Sequence, residues 1–574
     1  MSPSSLLERG NSFIVFRMIR SLRLMCLLML LPLAAATATA AARAPVAGIA
    51  SAHPLATQAG HEVLARGGNA FDAAVAVAAT LAVVEPYHSG LGGGGFFLLH
   101  RARDGFEIMI DARERAPRAA TPDMYLDRED QPVPGLSIDG AKAAAIPGIP
   151  AGLAHLAEKY GRLPLQKSLA PAIRLARDGF PVTKLYGKMT LRQYDRLEKV
   201  PEMARTFLNQ GFIYPVGERL RQPDLARTLE RLAAQGRKGF YGGATAARLI
   251  QGVQTAGGVW RAQDLVDYRV VEREPVRGTY RHIRVTSAAL PSSGGIVLME
   301  MLNMLQGFDL DSMSKVEREH IIIEAMRLAY RDRARYLGDP DYVRVDVPRL
   351  IDPAYAVKLR EEMRVLKHTS TESPDRATRE GMNTTHFSII DREGNRVAAT
   401  LSLNTLFGSG FMPPGTGVVL NNEMDDFAVK PEAPNSYGLT GSAANAIAPG
   451  KRPLSSMTPT FLESDDTVVV LGTPGGSRII TMVLLAALEF AHGRGGPREW
   501  VKQPRFHHQY LPDVVTHESE AFAEAERHAL EQRGHKFDTV RGSYGNMQVV
   551  TWYKKTGRVE ATSDPRGEGL GLAK

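Results

Sequence analysis

Apolar positions along the chain fall into blocks of different period. Between Pro54 and Val84 they recur at helical spacing, with Ala59, Val63 and Leu64 in one run and Ala73, Ala74, Val75, Val77 and Ala78 in a second. Gly67-Gly68-Asn69 separates the two runs and Asp72 lies near the start of the second, so the pattern predicts two helices. The glycine-rich stretch from Gly90 to Gly95 then leads into a strand-like Phe96-Phe97-Leu98-Leu99. Four consecutive glycines allow a close backbone approach or a tight turn. They are not a dinucleotide fingerprint, because a strand follows where a helix is required. Residues 148–366 read as mostly helical, with 316–337 the clearest amphipathic helix, and Pro291-Ser292-Ser293-Gly294-Gly295 interrupts them as a strand-to-loop signature.

Residues 368–383 turn polar and offer little to bury, which predicts an exposed, weakly ordered connector. Composition alone reads equally as an ordinary linker. Beyond it the period changes. Residues 384–390 and 396–403 are β-type runs joined by Asp391-Arg392-Glu393-Gly394-Asn395, a hairpin signal. Another strand, 467–471, runs into Gly472-Thr473-Pro474-Gly475-Gly476 and then a helix to about Phe490. Central strands with helices before and after them predict layered α/β packing.

The composition, 44% hydrophobic and 23% charged over 574 residues, is globular and leaves ample material for a core. The first 42 residues read differently. Arg17, Arg20 and Arg23 precede an apolar run from Leu24 to Ala36, and small residues continue to Ala42, the layout of a secretory signal. The run is short of the roughly 20 residues that span a bilayer. Ala36-Thr37-Ala38, Ala38-Thr39-Ala40 and Ala40-Ala41-Ala42 all fit the cleavage pattern, and Met18 is an alternative start. The expectation is export, most simply to a periplasm. The single cysteine, Cys26, lies in this leader, so the mature chain is expected to lack disulfides, thiol catalysis and cysteine metal sites. Half of the net charge of +8 also comes from the leader, through five Arg and one Glu within residues 1–43, and the remaining basic residues are scattered. Nucleic acid is therefore not an expected partner.

Three features can carry chemistry. Thr384 and Thr385 stand where the polar connector meets a buried-looking strand. A threonine hydroxyl is a weak nucleophile unless a base lies beside it, and one solution is to make the threonine the chain terminus, so that its own α-amine is the base. That requires a cut between Asn383 and Thr384, which the hydroxyl can make by attacking the Asn383 carbonyl. Most Thr-Thr pairs that open a strand are simply β-formers. Gly475-Gly476, at a strand-to-helix turn, can present N–H groups to an oxyanion, although a plain tight turn is the commoner use. Finally, Arg113 can grip a carboxylate, Asp425 and Asp426 can receive an ammonium group, and Ser455 and Ser456 can donate hydrogen bonds. Singly, each is more simply a surface salt bridge or hydroxyl.

Taken together, Thr384-Thr385-His386-Phe387-Ser388, Asn421-Asn422-Glu423-Met424-Asp425-Asp426-Phe427, Lys451-Arg452-Pro453-Leu454-Ser455-Ser456-Met457 and Pro474-Gly475-Gly476-Ser477-Arg478 resemble the γ-glutamyltransferase family, in order and at similar spacing. Glu85-Pro86 with the glycine run, Asp111-Ala112-Arg113-Glu114 and Pro504-Arg505-Phe506-His507-His508-Gln509 agree, so the likeness covers the chain after the leader. The resemblance implies an N-terminal-nucleophile hydrolase fold, a four-layer αββα sandwich, divided into a large subunit, residues 43–383, and a small one, residues 384–574. It implies Thr384 as nucleophile, supported by Thr385 and Ser402. Arg113 and Ser456 would hold the substrate carboxylate, Asn404, Glu423 and Asp426 its ammonium, and Gly475 and Gly476 the oxyanion, with Ser455 a further substrate-binding residue. The expected donor is glutathione or a related γ-glutamyl compound, the acceptor water or an amino acid or peptide amine, with no cofactor or metal.

Ser402 departs from the threonine more usual in the family, which keeps the hydroxyl and loses the methyl. Residues 431–445, with Tyr437, resemble a lid found in some members. His507-His508 read as structural, since adjacent residues in extended chain face opposite ways and no acidic ligand stands near in the sequence. Two other readings compete: an acylase of the same fold that removes glutaryl side chains, which need not grip an ammonium group, and an exported binding protein that never matures.

Overall fold

The glycine run at 92–95 explains how the central strands meet. In a computed structural model, which describes residues 43–363, 383–430 and 433–574, a Cβ on Gly92 would lie 2.0 Å from the Val419 carbonyl oxygen and one on Gly93 2.0 Å from that of Ser402. Only glycine permits that approach. The predicted leader and nearly all of the predicted connector lie outside the described residues.

Seven antiparallel strands form the first sheet, in the order Leu570–Ala573, Gly48–Ser51, Thr385–Ile390, Arg396–Ser402, Gly94–Arg101, Phe106–Asp111 and Val271–Arg273. The predicted hairpin is its centre, with Thr385 opposite Leu401, and Ser402 lies opposite Gly94 across the next pair. A second, six-stranded sheet runs Val559–Ser563, Gln548–Tyr553, Thr467–Gly472, Thr460–Glu463, Ile283–Ser287 and Val276–Tyr280. Ala50, Phe96, Leu98 and Ile390 from the first sheet pack with Phe461, Val470, Val550 and Trp552 from the second in one buried cluster.

Each outer face is covered by helices. Pro54–Ala65, Ala70–Val84, Ile149–Lys159 and Leu165–Asp178 cover the first sheet. Gly294–Leu305, Lys315–Tyr336 and Ile479–Ala491 cover the second. The result is the four-layer αββα arrangement expected from the resemblance.

The two predicted N-terminal helices form as Pro54–Ala65 and Ala70–Val84. The second starts at an Asn69 cap, whose side chain accepts from Asp72 N–H while Asp72 returns a bond to Asn69 N–H. All its residues are buried, so its even apolar spread reflects a helix enclosed on every side. The helix predicted at 316–337 runs Lys315–Tyr336, but His320 through Tyr330 are buried throughout, so it is not amphipathic in that stretch. The middle region also contains strands that its helical reading misses, Val276–Tyr280 and Ile283–Ser287. Each has only five residues, with Arg277 and Arg284 at outward positions and Gly278 leaving no side chain inside, so few apolar residues mark the strands. Among the described residues no helix is long and apolar enough to cross a membrane.

Candidate active site

The strand Thr385–Ile390 is buried on both faces, so its residues are sorted by period two. Phe387 and Ile389 face the first helical layer, and Ile390 faces the second sheet. Thr385 shares the parity of Phe387, and its hydroxyl donates to Glu85 Oε2 at 2.8 Å, at the end of the helix Ala70–Val84. Thr384 has the opposite parity and enters a cavity.

There Thr384 Oγ lies against the carbonyl oxygen of Asn383, to which it donates. Ser402, at the end of the paired strand, donates to the same carbonyl at 3.1 Å and stands 3.2 Å from Thr384 Oγ. The Asn404 N–H in turn donates to Ser402 Oγ at 2.8 Å. The Thr384 hydroxyl and the Asn383 carbonyl oxygen are thus in contact, with a second hydroxyl fixed on the same carbonyl.

The cavity, of about 20 Å³, is lined by Thr384, Ser402, Asn404, Ser455 and Ser456 on its hydrogen-bonding side. Arg113, Arg333, Glu423 and Asp426 supply charge, and Tyr437 and Gly476 close it. Arg113 is fully buried and pairs with Glu423 at 2.8 Å and Asp426 at 2.5 Å, while Glu114 lies 3.6 Å away. Burial draws the guanidinium down, but these three carboxylates outweigh it and hold Arg113 above the ordinary arginine value. Burial pushes Glu114 up to about 8 and Glu423 well above the carboxylate range, against the pull of Arg113. One arginine among two fully buried acids and the partly exposed Asp426 leaves an excess of negative charge, which protonation of the buried pair relieves.

Gly476 has φ of 58°, and a Cβ there would lie 2.5 Å from the Tyr437 ring. Tyr437 OH donates to the Asn404 carbonyl at 2.7 Å, so the 433–445 part of the suggested lid covers the cavity. Residues 431 and 432 lie outside the described residues. Gly476 opens a single turn before the helix Ile479–Ala491, so its N–H stands at a helix start.

Of the residues named from the sequence, Arg113, Thr384, Ser402, Asn404, Glu423, Asp426, Ser455, Ser456 and Gly476 line this one cavity. Gly475, with φ of 144°, lies behind Gly476, where a Cβ would meet Met482. Thr385 donates its hydroxyl to Glu85. Asp425 also turns elsewhere, accepting from Ser137 at 2.7 Å and from Ser436. Asn404 spends its side-chain amide on the Asn422 carbonyl at 3.0 Å. Arg333 and the interior pairing of Glu114 were not foreseen. Arg333 lies in the charged stretch Arg331-Asp332-Arg333-Ala334-Arg335 at the end of its helix, where nothing in the sequence sets it apart from Arg331 and Arg335.

His507 contacts Thr481 and Gln509. His508 does meet an acid that the sequence reading did not weigh, Asp513 at 3.1 Å. Among the described residues no group of three or more His, Cys, Asp or Glu is placed to hold a metal ion.

Comparison with known proteins places this geometry. The gamma-glutamyltranspeptidase family model matches residues 56–573. A glutathione hydrolase proenzyme of Pseudomonas sp. is 43% identical over 85% of this chain and 86% of its own. The glutathione hydrolase proenzyme of Escherichia coli is 41% identical over 91% of each chain. Among solved structures, a cephalosporin acylase from Bacillus halodurans superposes with a TM-score of 0.81 at 30% identity, covering 92% of this chain and 96% of that one. By the extent of these matches, the chain belongs to the gamma-glutamyltranspeptidase family.

Proposed function

We propose that this protein is an exported, self-processing glutathione hydrolase that transfers the γ-glutamyl group to water or to an amino acid or peptide amine. The observation that carries the reading is the meeting of Thr384 Oγ and Ser402 Oγ at the Asn383 carbonyl, in a cavity bearing Arg113, Glu423 and Asp426. Maturation starts when Thr384 Oγ adds to the Asn383 carbonyl carbon and the C–N bond breaks. The acyl group moves to oxygen and the Thr384 amine is released. Water then hydrolyses the ester, leaving Asn383 as a carboxyl terminus and Thr384 as an amino terminus.

In the mature enzyme that amine, with a pKa of about 8 as a free terminus, takes the proton from Thr384 Oγ as the oxygen adds to the γ-amide carbonyl. The Gly475 and Gly476 N–H groups stabilise the oxyanion. Collapse expels the amine of the leaving group, which carries the proton away, and a γ-glutamyl ester remains on Thr384. Water or an acceptor amine repeats the sequence in reverse. The α-carboxylate of the donor goes to Arg113, Ser455 and Ser456, and its ammonium to Glu423, Asp426 and Asn404. Both charged ends compete with the ion pairs that Arg113 makes with Glu423 and Asp426, so a zwitterionic head exchanges one pairing for another. No metal or organic cofactor takes part.

The rival within the fold is a glutaryl acylase. A glutaryl group brings no ammonium, so the buried Glu423 and the partly exposed Asp426 would gain no partner from it. Hydrolysis of γ-glutamyl and glutaryl anilides compares the two directly. A strong preference for the γ-glutamyl compound is expected; equal rates, or a preference for glutaryl, would contradict the assignment.

A further inference from the structure

Two arginines line the cavity, and they come from different layers. Arg113 follows the first sheet and is held by Glu423 and Asp426. Arg333 comes from the last turn of Lys315–Tyr336, in the helical layer behind the second sheet. It is 5% exposed. Its Nε donates to Ser293 Oγ at 2.9 Å and its Nη2 to Ser456 Oγ at 3.1 Å. Ser293 is itself tied to the serine pair, since its N–H and hydroxyl both donate to the Ser455 carbonyl, at 2.8 and 2.7 Å.

A serine hydroxyl has one proton and two acceptor positions. With Arg333 occupying an acceptor position of Ser456, the Ser456 proton is left to be donated, and the adjacent guanidinium makes it a stronger donor. An anion beside Ser456 therefore meets a polarised hydroxyl and, behind it, a buried positive charge that also lines the cavity. A planar fork suits this task better than an ammonium group, because one edge can hold two hydroxyls in fixed directions.

We propose that Arg333 determines specificity for the α-carboxylate of the donor, through Ser456 and by its own charge. This rests on the γ-glutamyl reading above. Arg113 spans both halves of the amino-acid head, through its acids and through the carboxylate. Arg333 reaches the carboxylate end directly, through Ser456, while Asp426 and Arg113 feel only its charge, so its loss falls most heavily on substrates that carry the carboxylate.

The test uses three anilides with the mature enzyme: γ-glutamyl, glutaryl, which keeps the carboxylate but lacks the ammonium, and γ-aminobutyryl, which keeps the ammonium but lacks the carboxylate. Arg333→Gln is expected to lower kcat/KM roughly ten- to a hundredfold on the first two, mainly through KM, the range of a lost charge-assisted hydrogen bond. On γ-aminobutyryl anilide the change is expected to stay below about threefold, and Arg333→Lys should recover part of the loss. An equal loss on all three substrates would mean that Arg333 only braces the Ser293–Ser456 loops, and would overturn the proposal. Should Arg333→Gln fail to mature, Arg333→Lys carries the same comparison: a loss confined to carboxylate-bearing substrates supports the proposal, and a uniform loss, or none, overturns it. The wild type reads the underlying assignment separately. If it turns over all three alike, the γ-glutamyl reading fails and this inference fails with it.

Discussion

Two hydroxyls meet at the Asn383 carbonyl, and they differ in what each contributes. Thr384 Oγ is the only one positioned to become part of a new ester at its own peptide bond, so Thr384→Ala should remain a single uncut chain with activity lowered more than a thousandfold. In the proposed mechanism Ser402 orients rather than reacts. Ser402→Ala should slow maturation, visible as persistent precursor over a time course, whereas Ser402→Thr should mature at least as fast as the wild type because the methyl restricts the hydroxyl rotamer. Gly476 is constrained by both backbone and neighbour, with positive φ and the Tyr437 ring where a Cβ would go. Gly476→Ala should therefore lower kcat roughly a hundredfold, the scale of a displaced oxyanion donor. At this scale residue type alone pointed to common structural uses for Thr384, Gly476 and Arg113, and it was the set of motifs in family order that named them together. The bond from Thr385 to Glu85 had no signal in the motif, which keeps neighbours together while a strand sends them to opposite faces.

Elements explain why those residues arrive together. The helix Ala70–Val84 carries Glu85 at its end, where Thr385 docks, and its start is fixed by Asp72. Asp72 is fully buried and accepts from the N–H groups of Asn69, Arg162 and Leu163 at 3.0, 2.8 and 3.2 Å. Removing it leaves buried donors without partners, so Asp72→Ala should cost about 3 kcal/mol. Thermal unfolding on the uncut Thr384→Ala background, where a single chain unfolds, measures it. The hairpin, the capped helices and the strand before Gly475 were readable because each combines a period with a turn or cap signal. The strands Val276–Tyr280 and Ile283–Ser287 were not. They are short and carry arginines, and their strand character comes from pairing with each other and with Thr460–Glu463, residues far away in sequence.

Across the whole molecule, four layers bury titratable groups whose charge depends on folding. Burial pushes His386 and His507 down to about 3, from an ordinary value of 6.5. Both stay neutral in the fold while the unfolded chain takes up protons, so stability is full above 6.5 and falls as pH drops, by about 1.4 kcal/mol per pH unit for each histidine. Glu114 works in the other direction. Its value near 8 keeps it protonated in the fold while the unfolded carboxyl, at 4.5, ionises, so stability falls as pH rises from about 4.5 to about 8. Melting temperature against pH should show both limbs, and Glu114→Gln should flatten the upper one. The layer order was expected only through the family resemblance, since periodicity indicates layers without saying which strands share a sheet. The ion pairs inside the cavity had no sequence signal, because Arg113 and Glu423 are brought together by chain closure alone.

The bond between Asn383 and Thr384 is where the proposed enzyme makes its own nucleophile. A denaturing gel of the purified protein beside Thr384→Ala, with N-terminal sequencing of the smaller band, tests it most directly. Two bands in the wild type, the smaller beginning Thr-Thr-His-Phe, and one uncut band in the variant are expected. A folded wild type that stays whole, or a small fragment that begins elsewhere, would contradict Thr384 as the self-liberated nucleophile.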